Sequence, residues 1–280
     1  MASVYEREFV FTHKDFEYIR DLIGTRTGIV LSDHKVDMVY GRLARRLRQL
    51  NIPSFQEYLT VLEDKQNSEE LIEFTNALTT NLTSFFREPH HFDFLKQKGI
   101  PELLRRRPDK KLRIWSAGCS TGEEPYSIAI TMHEAIPNIK AYDVRILATD
   151  LDSNVVNSGK QGVYKQERVN GIDKHRLNKW FCKGRNGQSE MVKVAQNLQD
   201  LITFKQLNLL HEWPMKGPFD IIFCRNVVIY FNKDTQRDLF SRYADYLADD
   251  GYLIVGHSES LHKVTDQFKL LGKTIYCKNR

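Results

Sequence analysis

Hydrophobic residues in the first eighty positions recur at the spacing of one helix face. Apolar side chains three and four residues apart predict amphipathic helices in three segments. The segments are FEYIRDLI (16–23), KVDMVYGRLARRLRQL (35–50) and EELIEFTNAL (69–78). Turn signals at 27–28 and 51–53 separate them. Residues from about 12 to 80 are therefore predicted to form a small all-α domain.

From residue 112 onward the pattern changes to short apolar runs, with helical stretches between most of them. The predicted strands are LRIWSA (112–117), VRILATD (144–150), LITFKQL (201–207), FDIIFC (219–224), YLIVG (252–256) and TIYCK (274–278). Continuous apolar strands that alternate with helices favour a parallel sheet covered on both faces. Residues 163–200 break this alternation with a Gly- and Lys-rich stretch and the strand-like MVKVA. This break predicts an inserted small antiparallel β-subdomain.

The length of 280 residues favours two unequal domains, and 41% apolar residues suffice for a sizeable core. No run of 18 apolar residues occurs, and the N-terminus lacks the basic-then-apolar layout of a signal peptide. Four widely spaced cysteines without a C-x-x-C pair are typical of free thiols in a reducing compartment. We therefore expect a soluble, cytoplasmic protein that does not insert into a membrane.

Basic residues are concentrated in two places, although the net charge is only +5. Residues 96–113 hold eight basic and two acidic side chains, which fits a solvated face or a surface for nucleic acid or an acidic protein. Within 35–50, the side of the helix opposite the apolar stripe carries Arg42, Arg45, Arg46 and Arg48. A solvated cationic surface and a docking face for an acidic partner helix explain these four arginines equally well.

A glycine-containing turn, AGCSTGEEP (117–125), joins the strand 112–117 to a helix. Glycines at such a turn let the backbone come close to a ligand at the carboxyl edge of the sheet. Three residues separate Gly118 from Gly122, so the dinucleotide fingerprint is absent. Glu123 and Glu124 then open the helix, where they would repel a phosphate. The turn favours a ligand with a cationic group and no phosphates, such as S-adenosylmethionine.

Polar residues also follow three other predicted strands. Asp150 is placed to accept hydrogen bonds from ribose hydroxyls, although an isolated Asp is more often a helix cap. Asn208 and Leu209 offer an amide and an apolar side chain for the edge and face of an adenine. Arg225 and Asn226 end an apolar strand, and such a polar pair is hard to bury without a partner. Together these positions predict a ligand crevice.

Four segments resemble the chemotaxis-receptor glutamate O-methyltransferases, the CheR family. They are LTTNLTSFFREPHHF (78–92), WSAGCSTGEEPYSIA (115–129), FDIIFCRNVVIYF (219–231) and GHSES (256–260). The resemblance covers essentially the whole chain. It implies a Rossmann-like S-adenosylmethionine-dependent methyltransferase domain, whose parallel sheet ends in an antiparallel hairpin. A small all-α N-terminal domain and an inserted antiparallel β-subdomain complete the fold. The implied boundaries are 1–80 for the helical domain, 81–95 for a linker that contributes to the cofactor site, and 96–280 with an insertion at 163–200.

Members of this family are bacterial cytoplasmic enzymes that methylate chemoreceptors for sensory adaptation. They transfer a methyl group from S-adenosylmethionine to glutamates on the helical cytoplasmic region, leaving S-adenosylhomocysteine. The implied partner is therefore a methyl-accepting chemotaxis receptor, and not nucleic acid. In some relatives the inserted subdomain also docks a short peptide at the receptor's C-terminus. Here its loop GRNGQSE (184–190) carries no readable signature of that tether.

The resemblance also implies roles for individual residues. Cofactor contacts fall on Asn81, Thr83, Arg87, Ala117, Glu123, Glu124, Asp150, Asn208, Leu209, Arg225 and Asn226. Arg87 and Tyr230 match the positions that act on the methyl-transfer step. Because receptor methylation helices are rich in Glu and Gln, the docking interpretation of Arg42, Arg45, Arg46 and Arg48 gains weight.

The expected chemistry is an in-line displacement at a sulfonium methyl group. A glutamate carboxylate has an unperturbed pKa of about 4.3 and is already ionised at neutral pH, so no general base is needed. The enzyme must align oxygen, carbon and sulfur and exclude water. Arg87 is suited to hold a carboxylate bidentately. Tyr230 orients the acceptor oxygen, or is simply a packed aromatic residue.

Three other functions and a metal site have weaker support in the sequence. A hydrolase built on GHSES lacks the closing glycine of a nucleophile elbow, and too few residues follow Ser260 for the later triad members. A nucleic-acid methyltransferase would suit the basic run, but that run has no stacking aromatic residues. A non-catalytic scaffold conflicts with the presence of Arg87 and Tyr230. His90 and His91 lack a third metal ligand at usable spacing and fit a helix start after a proline, so no metal is expected.

Overall fold

The computed structural model describes residues 7–64, 66–184 and 190–279. The chain divides into two compact units, Met1–Thr80 and Asn81–Arg280. The described part of the first unit is all helical. Its helices are α1 (His13–Thr27), α2 (Val36–Leu50), α3 (Phe55–Glu63) and α4 (Ser68–Leu78).

Apolar faces of these four helices enclose the core of the first unit. Phe16, Leu43, Tyr58 and Phe74 are fully buried in it. A capping box at Thr12 begins α1, since the Thr12 hydroxyl accepts from a backbone N–H in the first turn and an acidic side chain bonds back. The predicted apolar stripe of α2 is confirmed over its central turns and ends at Leu50, which is 37% exposed.

The second unit contains a seven-stranded sheet with the strand order β6-β2-β1-β7-β8-β10-β9. Its strands are β1 (Lys111–Ala117), β2 (Asp143–Asp150), β6 (Ile202–Gln206), β7 (Phe219–Cys224), β8 (Leu247–Val255), β9 (Phe268–Gly272) and β10 (Ile275–Lys278). Strand β10 runs antiparallel to both neighbours, whereas the other pairings are parallel. The predicted fold class is confirmed, including the terminal antiparallel hairpin.

Helices cover both faces of this sheet. They are α5 (His90–Phe94), α6 (Ile100–Arg105), α7 (Glu123–Ala135), α8 (Ser153–Gln161), α10 (Gln196–Gln199) and α11 (Lys233–Tyr246). All six residues of β7 are buried, as expected for a central strand. Alternate residues of the strands pack into two separate hydrophobic cores, because successive side chains point to opposite faces of the sheet. Ile114 and Ile221 belong to one core, and Trp115 and Ile222 to the other.

The inserted β-subdomain forms a separate three-stranded antiparallel sheet in the order β3-β5-β4. Its elements are β3 (Val163–Lys165), α9 (Lys174–Trp180), β4 (Phe181–Lys183) and β5 (Met191–Val194). The predicted antiparallel insertion is thereby confirmed. Residues 185–189 of the loop 184–190, to which the tether question applies, lie outside the described residues.

The course of the chain through the large sheet sets the position of the site. After β1 the chain adds β2 and β6 on one side, and then returns to form β7 on the other. In open α/β sheets, ligands bind outside the carboxyl ends of the strands at such a switch point. That point lies beyond Ala117 of β1 and Cys224 of β7.

Among the described residues, no helix has both the length and the apolar character needed to cross a bilayer.

Candidate functional site

The turn after β1 contains two glycines in the left-handed region, Gly118 (φ 95°) and Gly122 (φ 98°). A Cβ at Gly118 would lie 2.2 Å from a methyl carbon of Val227, and one at Gly122 would lie 2.9 Å from the Cα of Gly159. The sequence predicts that these glycines let the backbone come close to a ligand. The structure gives a further reason for them, since neighbouring protein segments occupy the space that a side chain would need.

The backbone N–H groups of this turn are used within the protein. The amides of Gly118 and Cys119 both donate to the carbonyl of Thr149, at 2.8 and 2.9 Å. The Ser120 amide donates to the Asp150 carboxylate at 2.8 Å. Phosphate cradles are built from free amides at such a turn. The turn is therefore unsuited to a pyrophosphate, as predicted from its sequence.

The two glutamates that open α7 are both buried, and they have different partners. Glu123 forms an ion pair with Arg168 of the inserted subdomain and accepts from the Thr121 hydroxyl at 2.6 Å. Glu124 accepts from Ser116 Oγ at 2.7 Å and from Arg225 at 3.1 Å. Burial raises the pKa of Glu124, and the Arg225 guanidinium opposes that rise. Glu124 is thus the glutamate that belongs to the switch point.

Asp150 lies at the end of β2, next to this turn. Its carboxylate accepts from the backbone N–H groups of Ser120 (2.8 Å) and Asp152 (3.0 Å). Burial raises the pKa of Asp150 to about 6. A helix cap is the alternative to ribose binding for Asp150. In the structure that cap is Asp152, whose side chain accepts from two amides at the start of α8. Because a carboxylate has about four acceptor positions, Asp150 retains capacity for a ligand.

Arg225 is the buried cation of the site, with its side chain 3% exposed. One guanidinium nitrogen donates to Glu124 at 3.1 Å, and another donates to the backbone carbonyl of Arg87. The carboxylate of Glu88 lies 3.6 Å from the guanidinium. Two protein carboxylates therefore partner the Arg225 guanidinium, while its buried Nε has no hydrogen-bond partner among the described residues.

The segment before α5 lies along the carboxyl edge of the sheet. The Asn81 amide donates to Asp152 at 2.7 Å, and the Asn81 carbonyl accepts from Ser120 Oγ at 3.0 Å. Farther along, the Thr83 carbonyl accepts from Arg168 at 3.1 Å. Arg87 is half-buried and donates to the Leu82 carbonyl at 2.9 Å. Residues 81–88 thus contact the loops that follow β1, β2 and β7.

The remaining predicted positions lie after β6, after β7 and at the end of β1. Asn208 closes a turn, since its side-chain oxygen accepts from the Leu210 amide at 3.0 Å. The side chain of Leu209 packs in the core with Trp213 rather than standing free at the edge. Tyr230 is half-buried, at the end of a short 3-10 helix, Val228–Tyr230. Ala117 is fully buried as the last residue of β1.

Glu88, which lies beside Arg225, has three histidines around it. Ligand atoms of Glu88, His90 and His91 lie within 4.8 Å of one another, so the expectation that no third metal ligand is near His90 and His91 is wrong. Both Glu88 oxygens already have donors, because the ring and backbone nitrogens of His257 lie 3.0 and 3.1 Å away. Burial, followed by the charge of Arg225, lowers the pKa of His91 to about 4. Glu88 therefore acts as an anion beside Arg225.

The four arginines of α2 have different environments. Arg42 donates to the carbonyls of residues 77–79 at the end of α4. Arg46 is paired with the buried carboxylate of Glu70, and Arg48 bonds Glu8 at 2.9 Å. Arg45 is exposed, and within the described ranges it makes no ion pair or hydrogen bond. Arg42 and Arg46 thus stabilise the helical unit itself, which the helical pattern did not reveal.

Sequence reasoning missed four other site residues, namely Glu88, Ser116, Arg168 and Glu259. Three of them lie inside the quoted motifs, so their types were visible. Their partners were not, because the Arg225 side chain bonds residues 101 and 138 positions away in the chain.

The charges around the site suit a cationic cofactor. Five carboxylates and three guanidiniums are held there, namely Glu88, Glu123, Glu124, Asp150 and Glu259 with Arg87, Arg168 and Arg225. When all are ionised, two net negative charges remain. S-adenosylmethionine carries two positive groups and one carboxylate, and no phosphate. The amides of the turn after β1 already donate within the protein, and the site carries net negative charge. Both features fit S-adenosylmethionine.

Strand β10 runs antiparallel to its neighbours, an acidic residue ends β2, and the turn after β1 does not suit a phosphate. Together these features define a Rossmann-like S-adenosylmethionine-dependent methyltransferase. The profile "CheR methyltransferase, SAM binding domain" matches residues 81–277, and "CheR methyltransferase, all-alpha domain" matches residues 14–79. The chain belongs to the CheR methyltransferase family.

Three chemotaxis protein methyltransferases are similar in sequence to this chain over most of their length. The "Chemotaxis protein methyltransferase" of Salmonella typhimurium is 44% identical over 262 residues, which are 93% of this chain and 88% of that protein. The protein of the same name from Escherichia coli is 43% identical, with 93% and 89% covered. "Chemotaxis protein methyltransferase 2" of Pseudomonas aeruginosa is 43% identical, with 96% and 95% covered. The predicted family and enzyme class are confirmed.

Proposed function

We propose that this protein methyl-esterifies glutamate side chains on the helical cytoplasmic region of chemoreceptors. The observation that carries the proposal is the identity of 43–44% with chemotaxis protein methyltransferases over more than nine-tenths of the chain. Arg87 supports it, because a half-buried guanidinium beside the site is suited to a carboxylate.

The residues divide the work between holding the cofactor and holding the acceptor. S-adenosylmethionine, when bound, supplies a methyl group activated by its positively charged sulfur. Asp150 accepts hydrogen bonds from the ribose hydroxyls, and Glu124 places negative charge near the cationic groups. The other proposed contacts are Asn81, Thr83, Ala117, Glu123, Asn208, Leu209, Arg225 and Asn226.

The acceptor step requires alignment and no proton transfer. The substrate glutamate is ionised at neutral pH, so the chain has only to orient it and keep water away. Arg87 holds the carboxylate, and Tyr230 directs the reacting oxygen. Ideal alignment lowers the barrier by roughly 7–11 kcal/mol.

The test is methyl transfer to purified receptor fragments from S-adenosylmethionine labelled with tritium in the methyl group. We expect label on the fragment that alkali releases as volatile methanol, since esters hydrolyse and N-methyl groups do not. Fragments with the candidate glutamates changed to alanine serve as the control. Alkali-stable label, or label on the alanine fragment, would contradict glutamate esterification.

The nucleic-acid alternative loses its main support in the structure. The basic run 96–113 is largely neutralised by neighbouring carboxylates. Its paired members are Lys96, Arg106, Arg107, Lys111 and Arg113. A backbone of phosphates needs cations that are free to neutralise it. The receptor proposal is therefore favoured.

Receptor docking is proposed to use Arg45, the exposed arginine of α2 that makes no ion pair within the described ranges. We expect Arg45→Glu to lower the methylation rate of receptor fragments by about three- to tenfold at low salt, because a rim charge mainly steers association. Cofactor affinity should stay unchanged in calorimetry. Lys140→Glu, an exposed reversal in the second unit, is the matched control. Arg46→Glu is unsuitable, because it would place a second carboxylate against buried Glu70. Unchanged rates for Arg45→Glu at low salt would remove α2 from the docking surface.

The peptide tether remains a prediction. Among the described residues, strand β4 (Phe181–Lys183) is an edge of the inserted sheet and pairs only with β5. A receptor C-terminal peptide could add there as a further strand. Part of the loop that follows, residues 185–189, lies outside the described residues.

A further inference from the structure

A buried carboxylate binds the backbone of the segment that follows β7. Glu259 is 2% exposed and lies in the turn 256–260. One of its oxygens accepts from the amides of Gly256 and Asn226, at 2.7 and 2.8 Å. The other accepts from the amides of Val227 and Val228, at 2.8 and 2.9 Å. A single side chain thus satisfies four backbone donors, three of them consecutive.

The segment held in this way has an unusual backbone conformation. Asn226 adopts a left-handed φ of 59°, a region that among residues other than glycine is mainly occupied by Asn, Asp and His. In this conformation, the backbone amides of residues 226–228 do not follow the hydrogen-bond pattern of a regular strand or helix. A buried donor without a partner is unfavourable. Charge-assisted hydrogen bonds to a carboxylate are stronger than neutral ones. Glu259 therefore stabilises this conformation against its alternatives.

The neighbouring glycine belongs to the same arrangement. A Cβ on Gly256 would lie 2.9 Å from the Asn226 side-chain nitrogen and 2.9 Å from the Glu259 carboxylate. The segment itself begins at Arg225 and ends at Tyr230. Its geometry thus depends on a turn that lies beyond the next strand in the chain.

We propose that Glu259 is a positioning residue for methyl transfer, which acts by fixing the backbone of residues 226–228. This inference rests on the proposed function, because it requires Asn226 to contact the cofactor and Tyr230 to direct the acceptor. Displacing a reacting group by about 1 Å can reduce a rate by about a hundredfold. Loss of the Glu259 carboxylate is therefore expected to lower the rate of methyl transfer, although Glu259 touches no reacting atom.

The informative variant is Glu259→Gln, which keeps size and shape. A glutamine offers one acceptor oxygen and turns an NH2 group toward the amides that the second oxygen served. We expect kcat to fall by about 10- to 100-fold and cofactor affinity in calorimetry to fall several-fold. The KM for the receptor fragment should change little. Gly256→Ala should give the same pattern by moving Glu259, and provides a second variant should Glu259→Gln not fold.

The matched control is Glu134→Gln. Glu134 is another shielded carboxylate of the second unit, and it accepts from Arg176 at 2.8 Å and from Lys96 at 2.9 Å. Within the described ranges it forms no hydrogen bond or ion pair with residues 225–230. Its substitution should lower thermal stability while leaving kcat and cofactor affinity unchanged. A shared loss of kcat in both variants would point to general destabilisation and overturn the inference.

A double-mutant cycle with Tyr230→Phe decides whether Glu259 acts through the segment. If it does, Tyr230→Phe will reduce kcat/KM much less in the Glu259→Gln background than in the native protein. Additive effects would overturn the inference. Should Tyr230→Phe alone have no effect, the proposed role of Tyr230 fails, and cofactor calorimetry on Glu259→Gln still tests positioning of Asn226. Native affinity and native kcat in Glu259→Gln would remove the inference while leaving the proposed function intact.

Discussion

Replacement of Arg225 by methionine is expected to lower the free energy of unfolding of the second unit by about 3–5 kcal/mol. The guanidinium is 3% exposed and lies between Glu124 and Glu88. Methionine fills most of the volume but leaves those two carboxylates facing each other without a cation. Removing one partner of a buried ion pair is strongly destabilising for that reason. Urea unfolding followed by circular dichroism measures the change.

Two further variants separate charge from packing. Adding Glu124→Gln to Arg225→Met should recover part of the lost stability, because the uncompensated buried charge is then removed. Arg237→Met is the control, since its partner Asp234 is 83% exposed and surface ion pairs contribute about 0–1 kcal/mol. A loss below about 1 kcal/mol for Arg225→Met, similar to this control, would show that the buried ion pairs are not a main source of stability.

Local sequence features were sufficient to predict the central part of the sheet and the kind of ligand. Five of the six residues of FDIIFC are apolar and all six are buried, as expected of a strand covered on both faces. The glutamates after Gly122 correctly excluded a phosphate ligand. Strand β9 was missed from the residue pattern because its middle residues, Lys269 to Leu271, are all exposed and do not alternate. An edge strand has one free side, so its pattern is weaker.

Pairings between distant segments could not be predicted from a single sequence. Arg42 and Arg45 are both arginines on the polar side of α2, yet one caps the end of α4 and the other faces solvent. In the GHSES motif, the sequence pattern suggests the serines as possible nucleophiles, whereas in the structure Glu259 makes four hydrogen bonds. Hydrogen-bond partners depend on which loops the sheet order brings together, and periodicity carries no information about them.

Replacement of Asp150 by asparagine is expected to weaken cofactor binding by about 10- to 100-fold at pH 7.5, or roughly 1.4–2.8 kcal/mol. A carboxylate can accept from both ribose hydroxyls, whereas the amide has a single acceptor oxygen. The ligand-free protein should change little in stability. The substitution removes one acceptor from the backbone amides of Ser120 and Asp152, and it also removes a charge whose burial is unfavourable. Calorimetric titration with S-adenosylhomocysteine gives the affinity without turnover.

The pH dependence of binding provides an independent test of the same residue. Burial raises the pKa of Asp150 to about 6, above the usual value of about 3.9. The ionised form, which accepts both hydroxyls, is therefore fully present above pH 7 and is lost as the pH falls through 6. Native affinity should decline between pH 7.5 and 5.5, and Asp150→Asn should lack that part of the decline. The two proteins should thus converge at low pH. Parallel curves for the two proteins would assign the ribose contact to another group, because only a titrating carboxylate at position 150 makes their difference depend on pH.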